Sequence, residues 1–83
     1  MKTIIFSRAA YRDFEALSAD IQAQIDATLD AYAMFGRGDV KHLGGRNAHR
    51  LRSGRYRILF AEDEVTILAI YIGKRETTTY RRN

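Results

Sequence analysis

The chain has 83 residues, no cysteine and a formal net charge of +4. That length supports one small core, and the missing cysteines exclude a disulfide framework, thiolate chemistry and a zinc knuckle. No apolar run approaches a membrane span, and the apolar part of the opening MKTIIFSRAAYRDF is too short for a secretory signal. A cytoplasmic protein with no membrane contact is expected, one domain over 1–83.

TIIFS at 3–7 is short, apolar and β-branched, and reads as a strand. Ser7 is placed to cap a helix from Arg8, in which Ala10, Phe14 and Leu17 fall on one stripe. Ser18 caps a second helix, where Ile21, Ile25, Leu29 and Tyr32 recur every three to four residues and form a core-facing stripe; Gly36 ends it. VKHLGGRN reads as an irregular basic loop. AHRLR and RYRILFAE read as strands joined at Ser53-Gly54, and a polar turn follows near Asp63-Glu64. VTILAIYIG is nearly continuously apolar, as in a central strand buried on both faces, and KRETTTYRRN is a polar, basic tail. The expected architecture is α+β, in the order β-α-α-β-β-β. Two N-terminal helices pack on one face of a small antiparallel sheet.

Charge divides the chain. Residues 1–36 carry three basic and five acidic side chains, a balance of −2, whereas 37–83 carry eleven and five, a balance of +6. A cationic second half points to an anionic partner, either nucleic acid or an acidic peptide. Its densest part is RLRSGRYR, with Arg50, Arg52, Arg55 and Arg57. A Ser53-Gly54 turn sets Arg52 opposite Arg55 and Arg50 opposite Arg57, all on one face. Like charges so opposed destabilise a sheet, whereas guanidiniums fork onto phosphate oxygens and stay charged at any working pH. Antiparallel pairing also brings Lys74-Arg75, at the end of the last strand, beside Arg57.

The two histidines, His42 and His49, have no ribonuclease spacing, and Glu62-Asp63-Glu64 reads as a solvated turn rather than a metal site. No cofactor or metal is expected. Metal-free cleavage of RNA by its own 2′-hydroxyl fits the residue types. Arginines stabilise the developing charge, and tyrosine rings stack bases to orient them.

The element order, LRSGRYRILF, the apolar strand after it and the ending IGKRETTTYRR resemble the RelE/ParE superfamily of type II toxin–antitoxin toxins, over essentially the whole chain. The RelE-like branch implies a ribosome-dependent mRNA endoribonuclease that inhibits translation, with mRNA, the ribosome and a cognate antitoxin as partners. The resemblance implies catalytic roles for Arg50, Arg57, Arg75 and Tyr80. Contact with RNA is expected at Lys41, Arg46, Arg52, Arg55 and Lys74. Arg50 stands where lysine is usual, Ala48 stands where a second lysine often lies, and the spacing to Tyr80 is one residue short. An arginine does not readily pass on a proton, which leaves Tyr80 as the proton-handling group. The alternatives are a ParE-like inhibitor of DNA gyrase and an antitoxin-binding homologue with weakened catalysis.

Overall fold

The structure is a computed structural model and describes residues 1–44 and 46–74. Strand β1 (Thr3–Phe6) leads into α1 (Arg8–Glu15) and α2 (Ala19–Phe35); β2 (Asp39–His42), β3 (His49–Ser53), β4 (Tyr56–Glu62) and β5 (Thr66–Lys74) follow. All five strands form one sheet in the order β1-β5-β4-β3-β2.

The helices start and stop on local chemistry. The Ser7 Oγ accepts from the Ala10 N–H at 3.1 Å, and Ser18 Oγ from the Ile21 N–H at 3.4 Å. Each thereby satisfies one of the donors that a first turn leaves unpaired. Gly36 closes α2 at φ 69°, a left-handed cap that suits glycine. Ile25, Leu29 and Ala33 of α2 are buried, with Ile21 and Tyr32 packed at the margin of the same core. They meet Leu51, Ile58, Phe60, Ile67, Ala69 and Ile72, which line one face of the sheet.

The α+β architecture is as expected, with three amendments. Part of the predicted basic loop is β2, which pairs antiparallel with β3. The sheet is mixed, because β1 pairs parallel with β5 while the other neighbours are antiparallel. Strand β5 is buried on one face only. Ile67, Ala69 and Ile72 lie under the helices, but Leu68, Ile70 and Tyr71 face outward and are exposed. The run is apolar throughout, yet nothing among the described residues covers its second face.

A bulge explains the adjacent outward pair. Leu59 opposes Tyr71 and Phe60 opposes Ala69, so Ile70 is the extra residue. Helix α1 and its capping serine hold it. Ser7 Oγ donates to the Ile70 carbonyl at 3.2 Å, and Asp13 Oδ2 accepts from the Ile72 N–H at 3.1 Å. No helix among the described residues is long and apolar enough to cross a membrane.

Candidate nucleic-acid interface

Alternation along the strands sends Arg50, Arg52 and Arg57 to the face away from the helices. One row across that face runs Asp39, Arg52, Arg57, Gly73, and the next runs Lys41, Arg50, Leu59, Tyr71. Three guanidiniums and an ammonium thus share the β2-β3-β4 half, while Ile5, Leu68 and Ile70 make the β1-β5 half apolar.

The register is not the one that the sequence suggests. Ser53 pairs with Tyr56, so the turn is Gly54-Arg55 and Arg52 opposes Arg57 rather than Arg55. Ser53 decides this. It is buried, its carbonyl accepts from Gln24 Nε2 at 2.8 Å, and its hydroxyl lies 2.7 Å from that of Thr28. A turn one residue earlier would carry that hydroxyl away from its partners on α2. Gly54 then takes the first turn position at φ 60°, the conformation that a two-residue hairpin of this hand asks of glycine. Arg55 is an exposed turn residue outside the arginine rows.

The guanidiniums are held but incompletely matched. The Nε atoms of Arg50, Arg52 and Arg57 are buried without a hydrogen-bond partner among the described residues. Buried donors left so are uncommon and costly. The sole ion pair these arginines make there is Arg52 with Asp39, at 3.8 Å and well exposed, which contributes little. No helix among the described residues covers this face. Two concavities of about 400 and 240 Å3 lie elsewhere, around Lys2 and Glu62 and around Asn47 and Leu68, and no arginine lines either. An extended polyanion fits such a surface better than a small ligand does.

The remaining predicted residues fall in several places. Lys41 lies on β2 beside Arg50, exposed on the same face. Arg46 is exposed in the β2–β3 connection. Gly73 opposes Arg57, as the predicted convergence requires, but Lys74 pairs with Tyr56 and belongs to the helix-side face. Strand alternation, which joins the arginines, takes Lys74 from them. Arg75 and Tyr80 lie outside the described residues.

The rings of His42 and His49 lie tilted with centroids 4.9 Å apart, and His49 stacks on Phe60 at 5.0 Å, on the face opposite the arginines. Glu62 does more than solvate a turn. Its carboxylate takes hydrogen bonds from Lys2 Nζ and the Tyr32 hydroxyl, both at 2.7 Å, and its backbone pairs with the Asn47 side chain. Burial pushes the Glu62 carboxyl up, but those two bonds, with the charges of Lys2 and His49, outweigh it and hold the group below its ordinary value. Burial, then the bond to Glu62 and its charge, push Tyr32 up to about 12. Among the described residues no group of three or more His, Cys, Asp or Glu is placed to hold a metal ion.

Sequence reading passed over Tyr71 within an apolar run. The available signal was its place two residues before Gly73, on the strand flanking the arginines.

Comparison with known structures bears on this arrangement. The isolated Escherichia coli RelE toxin matches with a TM-score of 0.79 over 93% of this chain and 87% of its own, at 18% identity. The fold is the RelE fold. The intact E. coli RelBE toxin–antitoxin complex matches at 0.75, with 21% identity over 93% of this chain and all (100%) of that chain. The YoeB dimer of Staphylococcus aureus matches at 0.68, with 19% identity over 92% and 98%. No protein-family model and no curated protein sequence matches the chain. On this RelE fold the sheet face away from the helices carries the three arginines.

Proposed function

We propose that this chain is a toxin of the RelE kind, an endoribonuclease that cuts mRNA on the ribosome and so inhibits translation. One observation carries the reading: Arg50, Arg52 and Arg57 stand together on an open sheet face, each with a buried Nε that has no partner among the described residues. A phosphodiester supplies the missing acceptors.

In this reading the 2′-oxygen of the substrate attacks the adjacent phosphorus while the bond from phosphorus to the 5′-oxygen breaks. One proton leaves the 2′-oxygen and one arrives on the 5′-oxygen, giving a 2′,3′-cyclic phosphate and a 5′-hydroxyl. Arg50 and Arg57 stabilise the extra charge on the phosphoryl oxygens, which is worth most where their donors are already desolvated. Arg52 holds the neighbouring phosphate. The resemblance gives Arg75 a share of the charge and Tyr80 the proton for the leaving oxygen. Lys41 and Arg46, together with Arg55 and Lys74 at the hairpin end, add attraction to RNA around the cut.

A sheet face left open among the described residues supports dependence on the ribosome, since a second surface then confines the mRNA. The solved RelBE complex supports an antitoxin partner, which here would cover the basic face. mRNA and ribosomes together place the activity in the cytoplasm.

Primer extension on a translated mRNA, with and without ribosomes, tests the reading. New 5′ ends within codons are expected only when ribosomes are present. Intact mRNA together with inhibited gyrase supercoiling would replace it with a ParE-like function.

A further inference from the structure

Tyr71 is the one aromatic residue on the open face among the described residues. Tyr32, Tyr56, Phe6, Phe14 and Phe60 all pack on the helix side, and Tyr11 and Phe35 belong to the helices. The peptide groups on either side of Tyr71 are fixed from α1, through the Ile70 carbonyl on Ser7 and the Ile72 N–H on Asp13. The bulge keeps its side chain outward, 41% exposed.

The ring lies along the strand over Gly73. A methyl group added at Gly73 would overlap the Tyr71 hydroxyl and the ring carbon that bears it. Gly73 is the residue opposite Arg57. The phenol therefore reaches along β5 from the row of Leu59 to the row of Arg57, whose strand lies one strand spacing (about 5 Å) away. A rigidly seated, half-exposed aromatic at the border of a phosphate-binding strip is placed to stack a base whose phosphate is held next to it.

On the endoribonuclease reading above, we infer that the Tyr71 ring is the stacking platform for a base beside the scissile phosphate, and that the glycine at 73 is the seat which lets the ring lie flat next to Arg57. Tyr71 is thus a positioning residue. It contributes to in-line geometry and to which base is accepted at the cut, while charge stabilisation stays with the arginines.

The test is single-turnover cleavage of a translated mRNA, with every cut mapped by primer extension. Tyr71→Leu is expected to slow cleavage about tenfold to a hundredfold and to flatten the base preference at the cut. Tyr71→Phe, which keeps the ring, is expected to restore most of that rate and the preference. Gly73→Ala leaves every proposed contact group in place but unseats the ring, and should resemble Tyr71→Leu. The double variant should lose no more than Tyr71→Leu alone, because both act through one ring. Denaturation midpoints of all variants separate these losses from unfolding, and a merely structural role would leave base preference unchanged.

If the unsubstituted protein cuts and folded Tyr71→Leu cuts at the same rate with the same preference, the stacking role is overturned and the endoribonuclease reading stands. If the unsubstituted protein leaves every mRNA intact, both fall together.

Discussion

Leu51 is fully buried and its neighbour Arg52 stands on the opposite side of the sheet, its Nε without a partner among the described residues. The same alternation divides Ile58 from Arg57 and Ile72 from Tyr71. On the helix side polar groups are satisfied: Ser53 has Gln24 and Thr28, and Glu62 has Lys2, Tyr32 and Asn47. On the open side like charges stand opposed, buried donors lack acceptors among the described residues, and Ile5, Leu68, Ile70 and Tyr71 meet solvent. A chain this small has little stability to spare. Its unsatisfied groups nevertheless gather on one surface, which is how a binding face differs from a core.

The largest test of this contrast is Phe60→Ala. The ring is fully buried between Tyr32 and His49, and its loss should cost about 3–5 kcal/mol, enough to leave the chain largely unfolded by circular dichroism and urea titration. Arg57→Ala should act in the opposite manner. Ribosome-dependent cleavage is expected to fall about a hundredfold or more, while the unfolding free energy from urea titration falls by no more than about 0.5 kcal/mol, or rises as the Arg52–Arg57 repulsion is relieved. Loss of folding in Arg57→Ala would make that arginine structural and blur the division between the faces.

Ser53→Ala should cost about 1–2 kcal/mol, because it strips one polar partner from the Thr28 hydroxyl and loosens the hairpin register. The pH profile sharpens the helix side further. Glu62 is held below its usual value, so its contribution is present above about 4.5 and is lost as pH falls through the lower folded value. Tyr32 has the opposite sign: its contribution is complete below 10.0 and is lost as pH rises from there through about 12. Glu62→Gln should flatten both arms of the urea midpoint against pH. The smallest effect belongs to Asp39→Ala. The exposed Arg52–Asp39 pair should contribute at most about 1 kcal/mol in a double-mutant cycle, less at high salt, and RNA binding should strengthen as the one carboxylate in the arginine row is removed.

Much of this contrast could be read from the residues because its causes are local. Ser7, Ser18 and Gly36 announce the helices through chemistry within three residues of themselves, and the arginines share a face by strand alternation alone. What escaped reading depends on distant partners. The hairpin register is set by Gln24 and Thr28, residues of α2 whose hydrogen bonds to Ser53 span 29 and 25 positions. Strand β2 has only Val40 packed on the core, so four mostly exposed residues gave no alternation to follow. The bulge at Ile70 sits inside an apolar run whose composition is the same with or without it, and it hid both the uncovered face of β5 and the place of Tyr71. Arg75 and Tyr80, expected from the resemblance, lie outside the described residues.

The parallel pairing of β1 with β5 ties residues 3–6 to residues 66–69. During synthesis β1 emerges first and has no strand to join until nearly all of the described chain has followed it. The arginine-bearing hairpin can form earlier, but β4 then presents a bare edge on the side that β5 will occupy. Products that stop short of β5 would keep that edge and invite pairing with other chains, so the finished sheet protects against aggregation as well as displaying its charge.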